Sequence, residues 1–228
     1  MTQAIILAGG LGTRLQPVIH NIPKPMAPIR GRPFLAFILD HLSDQSIDHV
    51  ILSVGYRHEV ILDYFGTRYK SLHIDYSIEE TPLGTGGAIR QALEYVTDDK
   101  AFCLNGDTFL KLDYGKALQV HQEQDGTMMT LVLKKENDVS RYGTVTIKDN
   151  GIISFQEKHG TGKGLINAGH YILSKTLFDE FKLPKVFSFE NDFLHPFCHT
   201  IHVRQITTDG SFIDIGIPED YQRANREL

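Results

Sequence analysis

The chain has 228 residues, 41% of them hydrophobic and 22% charged, which is enough apolar material for a substantial core. Its formal net charge is -5, with 23 Lys and Arg against 28 Asp and Glu, and no dense basic block occurs, which excludes an electrostatic nucleic-acid surface. The distant cysteines Cys103 and Cys198 exclude a disulfide framework or a cysteine metal site, and no stretch reaches the roughly 18 apolar residues of a spanning helix, so a cytoplasmic protein with no membrane segment is expected.

The first apolar run, Ala4 to Ala8, reads as a buried strand that flows into a glycine-rich loop. Further buried-type strands are expected over Val50 to Val54, Leu72 to Ile78 and Ala101 to Asn105. Helical periodicity fills the intervals: Phe34, Phe37, Ile38 and Leu42 behind Pro33; Val60, Ile61, Tyr64 and Phe65; then Ala88, Leu93 and Val96. This β-α-β-α-β-α-β series predicts a parallel sheet with crossover helices.

After about residue 125 the rhythm changes to strands and tight turns. Strands are expected over Met128 to Leu133, Gly143 to Ile147, Ile152 to Gln156 and Leu165 to Leu173, with Asp149-Asn150-Gly151 as a hairpin turn. Helical segments over Ser174 to Phe181 and Phe189 to Phe197 precede strands at His202 to Ile206 and Phe212 to Ile215, and Pro218-Glu219-Asp220 opens a last helix. The fold class expected is α/β, a Rossmann-like three-layer arrangement whose mixed, mostly parallel sheet is flanked by helices. One domain over 1–228 is expected, with about 1–125 binding nucleotide and about 126–228 binding the acceptor.

The loop Gly9-Gly10-Leu11-Gly12-Thr13-Arg14-Leu15 fails two common phosphate motifs. A dinucleotide fingerprint needs a third glycine where Leu15 stands, and Gly160-Thr161-Gly162-Lys163-Gly164 lacks the first glycine and the final Ser or Thr of a Walker A loop. What remains is a set of glycines that expose backbone N–H groups to phosphate, with cations at Arg14 and at Lys24, which is clamped by Pro23 and Pro25.

AGGLGTRL followed by NIPKPM resembles the signature of the sugar-1-phosphate nucleotidyltransferases, with further matches through most of the chain. The similarity is greatest to the heptose 1-phosphate guanylyltransferase branch. Mannose-1-phosphate guanylyltransferases and uridylyl- or thymidylyltransferases acting on hexose or muramic-type 1-phosphates are the neighbouring alternatives. The resemblance implies transfer of a nucleotidyl group from an NTP, GTP in this branch, to a sugar 1-phosphate, with release of pyrophosphate and an NDP-sugar for surface polysaccharide as product. It also implies Mg²⁺ as cofactor and no nucleic-acid or membrane partner; monomer and homodimer both stay open.

The resemblance places nucleotide on Leu7, Ala8, Gly9, Gly10, Gly12, Thr13 and Arg14, and on Asn105 and Gly106 of Leu104-Asn105-Gly106-Asp107. Glu79-Glu80-Thr81-Pro82-Leu83-Gly84-Thr85 resembles the base-recognition loop, with Gly84 and Thr85 against the base and Glu79 reading its edge. A carboxylate offers two acceptors, which suits the N–H groups of guanine. Asp107 ends a strand, where phosphate-bound metal gathers, and Asp214, in a DIGIPEDY segment similar to the family's DIGTPEDY, completes the metal pair. Arg14, Lys24 and Asp107 are the expected catalytic residues. Gly143, Glu157, Lys158 and Asn167, with Lys24, are the expected sugar-phosphate ligands, although His159 stands where relatives carry proline. His195, Cys198, His199 and His202 have zinc-like spacings but read more simply as an ordinary helix and its flank. Asp220 is expected in the first turn of the last helix, where the macrodipole favours it.

Overall fold

The computed structural model describes residues 1–10, 12, 15, 22–148, 152–156 and 161–228. In chain order its elements are β1 (Gln3–Leu7), β2 (Pro28–Ile29), β3 (Arg32–Pro33), α1 (Phe34–Ser43), β4 (His49–Val54), α2 (His58–Phe65), β5 (Arg68–Tyr69) and β6 (Leu72–Ile78). Then follow α3 (Gly84–Leu93), β7 (Lys100–Asn105), β8 (Thr108–Leu110), α4 (Tyr114–Gln122), β9 (Met129–Glu136), β10 (Thr144–Lys148), β11 (Ile152–Gln156) and β12 (Gly164–Ser174). A π-helical turn (Phe189–Leu194) runs into α5 (His195–Phe197), and β13 (Val203–Thr208), β14 (Phe212–Asp214) and α6 (Pro218–Glu227) complete the fold.

Strands β7, β1, β4 and β6 lie side by side and parallel. β7, β1 and β4 are apolar and buried almost throughout because both faces are covered there, whereas β6, LHIDYSI, alternates buried with more exposed positions. Ile6, Leu52 and Leu104 belong to a core cluster with Phe34, Leu35 and Leu39 of α1; Ile5, Ile51 and Cys103 belong to a second cluster with Ile89, Ala92 and Leu93 of α3. The second half of the chain extends the same sheet. β12 pairs antiparallel with β7 and with β9, β13 runs parallel to β9, and β10 joins β12 to β11. The sheet is therefore mixed and mostly parallel at its centre, with helices on both faces.

Two differences from the sequence expectation concern helices. Residues 175–180 form isolated turns, with Leu177 N–H on the Ser174 carbonyl and Asp179 N–H on the Thr176 carbonyl, so the expected helix over Ser174 to Phe181 does not form. Its apolar side chains Leu177 and Phe178 enter the second core cluster from these turns, and Pro184 follows close behind. Conversely, α4 was not expected. It carries few apolar positions and is started by the Asp113 side chain, which accepts from the Lys116 N–H at 2.9 Å. The Asp149-Asn150-Gly151 turn lies outside the described residues.

Pro33 caps α1 from outside instead of occupying its first turn. Leu15 is fully buried in the first core cluster, which accounts physically for a bulky residue where a dinucleotide fold would need glycine.

Candidate active site

A cleft of about 930 Å³ opens at the carboxyl ends of the parallel strands. Of the residues expected to bind nucleotide, Leu7, Ala8, Gly9, Gly10, Gly12, Glu79, Gly84, Thr85 and Asn105 line it, together with Lys24 and Asp107. Gly106 is buried behind the wall, its N–H donating to the Leu7 carbonyl at 2.9 Å. A Cβ there would stand 2.6 Å from that oxygen, so the glycine lets β7 and β1 end in register. Thr13 and Arg14 lie outside the described residues, as do Glu157, Lys158 and His159.

Lys24 and Asp107, 83 residues apart, form an ion pair with Nζ 2.5 Å from Oδ2. Lys24 starts a short 3₁₀ turn whose residues Lys24, Pro25 and Met26 are all buried, and Gly12, at φ +59°, lies against its Cβ. The Lys24 side chain is 9% exposed and the Asp107 side chain 34% exposed. Asp107 precedes β8, which pairs antiparallel with β14, and the Asp107 carbonyl accepts from the Ile215 N–H at 3.0 Å. This two-stranded ribbon brings Asp214 beside Asp107. Burial, and next the negative charge of Asp107, push the Asp214 carboxyl above its ordinary value, opposed by Lys24 and by the Gly216 N–H that donates to its Oδ1 at 2.7 Å. Asp214 does not line the cleft itself, but Gly216 does. Among the described residues, two carboxylates and one lysine leave this cluster net negative, the complement of a divalent cation that could in turn hold phosphate oxygens.

At the other end of the cleft, Glu79 follows β6. Burial raises its carboxyl, against the Leu83 N–H that donates to Oε2 at 3.0 Å. A Cβ on Gly9 would stand 2.6 Å from Glu79 Oε1, so that glycine allows the first loop to lie on the carboxylate. Gly84 opens α3 at φ +70°, and a Cβ there would meet the Phe187 carbonyl oxygen at 2.5 Å. That carbonyl accepts from the Gly86 N–H at 2.9 Å, and Thr85 Oγ1 accepts from the Phe189 N–H at 2.9 Å, so the segment 187–189 is seated on the start of α3.

Of the residues expected to hold the acceptor, Asn167 lies on β12 and Gly143 beside it. Thr144 lies opposite Ile166, which sets Gly143 beside Asn167 across the two strands. The pairing of β12 with β9 is interrupted between Asn167 and Tyr171, and Gly169, at φ +66°, packs so closely on the Asn105 side chain that a Cβ would collide with its amide. The bulge thus brings the end of β7 to the acceptor strand. Asp220 lies in the first turn of α6 as expected, but it is 3% exposed and ion-paired to Arg141, two residues before Gly143.

Residues 3–228 match the family model described as nucleotidyl transferase. The chain belongs to the nucleotidyl transferase family. This nucleotidyltransferase is 46% identical, over 99% of its length and 98% of the relative's, to a D-glycero-alpha-D-manno-heptose 1-phosphate guanylyltransferase of Aneurinibacillus thermoaerophilus. It is 49% identical to the protein of the same name from Campylobacter jejuni, over 96% of both chains. Among solved structures it is similar to HddC from Yersinia pseudotuberculosis, with TM-score 0.90, 41% identity and coverage of 100% of this chain and 99% of that one. A structure of that protein complexed with GMP-PN superposes with TM-score 0.89.

Members of this family use a divalent metal, and Asp107 and Asp214, two carboxylates brought side by side by the β8–β14 ribbon, fit one. The nucleotidyltransferase does not gather His195, Cys198, His199 and His202 into a ligand set. His195 stacks on Phe155 at 4.5 Å, and the convergent histidines among the described residues are His49 and His73, beside Asp75. That group does not suit a cation. Gln3 Oε1 accepts from the Thr97 and Asp98 N–H groups, which fixes Gln3 Nε2 as donor to His49 Nδ1 and leaves His49 Nε2 protonated toward Asp75. No helix among the described residues is long and apolar enough to cross a membrane.

Sequence reasoning missed Tyr56, in the loop after β4, and His58, the first residue of α2, which both line the cleft. A glycine directly after a buried strand, Gly55, was the available signal: the Gly9 carbonyl accepts from Tyr56 N–H at 3.4 Å across that close approach.

Proposed function

We propose that this nucleotidyltransferase is a guanylyltransferase that joins GTP and D-glycero-D-manno-heptose 1-phosphate into a GDP-heptose and pyrophosphate, in the cytoplasm, for surface polysaccharide. The observation that carries the reaction is the meeting of Lys24, Asp107 and Asp214 at the end of the glycine-lined cleft. The choice of substrates rests on the near full-length identity to heptose 1-phosphate guanylyltransferases and on the Glu79 carboxylate as an acceptor pair for guanine.

In this reading residues 1–125 hold the nucleotide and 126–228 the sugar phosphate, within one unit whose sheet is continuous from β7 into β12. Leu7 to Gly10 and Gly12 cradle the triphosphate on backbone N–H groups, and Thr13 and Arg14 are assigned to bind it further, Arg14 stabilising the departing pyrophosphate. The sugar phosphate attacks the α-phosphorus in line. Its charge is met by Lys24 and Lys158, while Gly143, Glu157 and Asn167 orient the sugar. Asp107 and Asp214 would hold a divalent cation, Mg²⁺ in this reading, which would supply neutralisation of phosphate charge. A phosphate needs no general base at neutral pH, so a single displacement without a covalent protein intermediate follows.

A pyrophosphate-release panel crossing GTP, UTP, dTTP, CTP and ATP with heptose, mannose, glucose and muramic-type 1-phosphates tests the assignment. Turnover confined to GTP with the heptose supports it. Turnover only with UTP or dTTP and a hexose phosphate refutes it, and trapping of a nucleotidylated protein refutes the single displacement.

A further inference from the structure

Asn167, the expected sugar ligand on β12, has both hydrogens of its amide engaged within the protein. Nδ2 donates to Tyr171 Oη at 2.7 Å and to Glu190 Oε1 at 3.0 Å, while Oδ1 accepts from the Gly169 N–H at 3.1 Å. A primary amide has two N–H donors, so no donor is left for a substrate and Asn167 can offer it only the second lone pair of Oδ1. The group that stands free at this place is the second carboxylate oxygen of Glu190, which is exposed and has no protein partner among the described residues.

Glu190 is also firmly held. It follows Phe189, whose N–H donates to Thr85 Oγ1 and whose ring is buried, and it precedes Phe193, fully buried in the same cluster. Ser188 caps the turn from below, its Oγ accepting from the Asn191 N–H at 3.2 Å, and its own N–H donates to Asp192 Oδ2 at 2.7 Å. The turn itself is π-helical, a geometry that costs hydrogen-bond quality and gathers at functional sites. The negative charge of Glu190 is felt at the buried Tyr171 hydroxyl, whose ionisation is pushed well up by burial first and by Glu190 next.

We infer that Glu190 is a specificity-determining residue that accepts hydrogen bonds from hydroxyls of the sugar 1-phosphate, with Asn167 as the platform that aims it. The inference rests on the acceptor site proposed above. A carboxylate reads only donors, so it selects a polyhydroxylated acceptor over one that presents amide or ether oxygens at the same place, and both of its lone-pair faces on Oε2 are available for adjacent hydroxyls.

Glu190→Gln keeps the shape and the acceptor for Asn167, and Glu190→Ala removes both. Pyrophosphate release is measured with each substrate varied in turn, alongside Tm. Expected is a rise of about 10-fold or more in KM for the sugar 1-phosphate in Glu190→Ala, a smaller rise in Glu190→Gln, a KM for GTP within about 2-fold, and an unchanged Tm in Glu190→Gln. A mono-deoxy sugar 1-phosphate lacking the contacted hydroxyl lowers kcat/KM for wild type and for Glu190→Ala unequally, the variant losing little more. Unchanged sugar KM in both Glu190 variants, with a raised sugar KM in Asn167→Ala, overturns the role of Glu190 and leaves the acceptor site standing. Unchanged sugar KM in all three overturns the site as well.

Discussion

Replacing Lys24 by Met and Asp107 by Asn removes the two halves of one ion pair, yet the two changes should have unequal effects on stability. Lys24 is ion-paired to Asp107 and its charge also favours the ionised Asp214, which is burdened by burial and by the charge of Asp107. Removing one partner of a buried pair costs about 3–5 kcal/mol when the remaining charge is sealed from water. Asp107 is 34% exposed, so part of that cost is recovered by hydration, and about 2 kcal/mol is expected for Lys24→Met in the absence of divalent metal. For a chain of this size that is a fall in Tm of about 4–8 °C. Asp107→Asn forfeits a charge-assisted hydrogen bond, worth about 1.5–3 kcal/mol, but relieves Asp214 and leaves it facing Lys24, so a net loss below about 1 kcal/mol is expected. Both variants should lose about 100-fold or more in turnover. Urea unfolding in EDTA and then in millimolar Mg²⁺ measures the difference; the added cation should stabilise Lys24→Met more than wild type, because it replaces the missing positive charge. If Asp107→Asn is the less stable of the two, or if Mg²⁺ does not favour Lys24→Met, the cluster is not the net-negative cation site described.

Asp214→Asn should abolish turnover but stabilise the metal-free protein. A carboxyl whose folded value is raised contributes stability that is complete below its unfolded value and is lost as pH rises through the folded value, so the advantage of the Asn variant should grow from about pH 4 toward neutrality in EDTA. A gap that shrinks with pH contradicts the assignment. Gly169→Ala places a side chain at φ +66° and against Asn105, and should cost about 2 kcal/mol or more, of which Asn105→Ala recovers the steric share and leaves roughly 1 kcal/mol of backbone strain; no recovery in the double variant counts against the contact. Arg141→Met should destabilise by about 2 kcal/mol because it leaves the 3% exposed Asp220 with only the longer ion pair to Arg223 at 3.9 Å, whereas Asp220→Asn should cost less, since Arg141 is 46% exposed and can rehydrate. Chemical denaturation compares the two, and equal losses would count against the asymmetry.

The parallel core strands could be read directly because strands covered on both faces are continuously apolar, and the loop Gly9 to Gly12 because it follows such a strand. Helix α4 escaped notice because Tyr114, Ala117 and His121 are its only buried positions, too few for a clear period. The turns at 175–180 carry helix-like spacing in Leu177, Phe178 and Phe181, and the side chains are buried without the backbone following. At the site, residue types could be placed on the strand ends, but their partners could not. Nothing local links Lys24 to Asp107 or Asn167 to Glu190; those meetings are made by the crossing of strands far apart in sequence.

The seating of segment 187–189 on the glycines that open α3 has a bearing on how the two specificities can change. Gly84 and Thr85 face the cleft, while the carbonyl of Phe187 and the N–H of Phe189 press on the same turn from behind, and the next residue along reaches β12. With the base on Gly84 and Thr85 and the sugar on Glu190, as proposed, the two substrate preferences share one mechanical part. A graft that exchanges the 183–190 segment for another sugar will also shift the floor under the base, so selection for a new acceptor should repeatedly bring compensating changes in Leu83 to Gly87. On that proposal, donor and acceptor choice in this chain are inherited together.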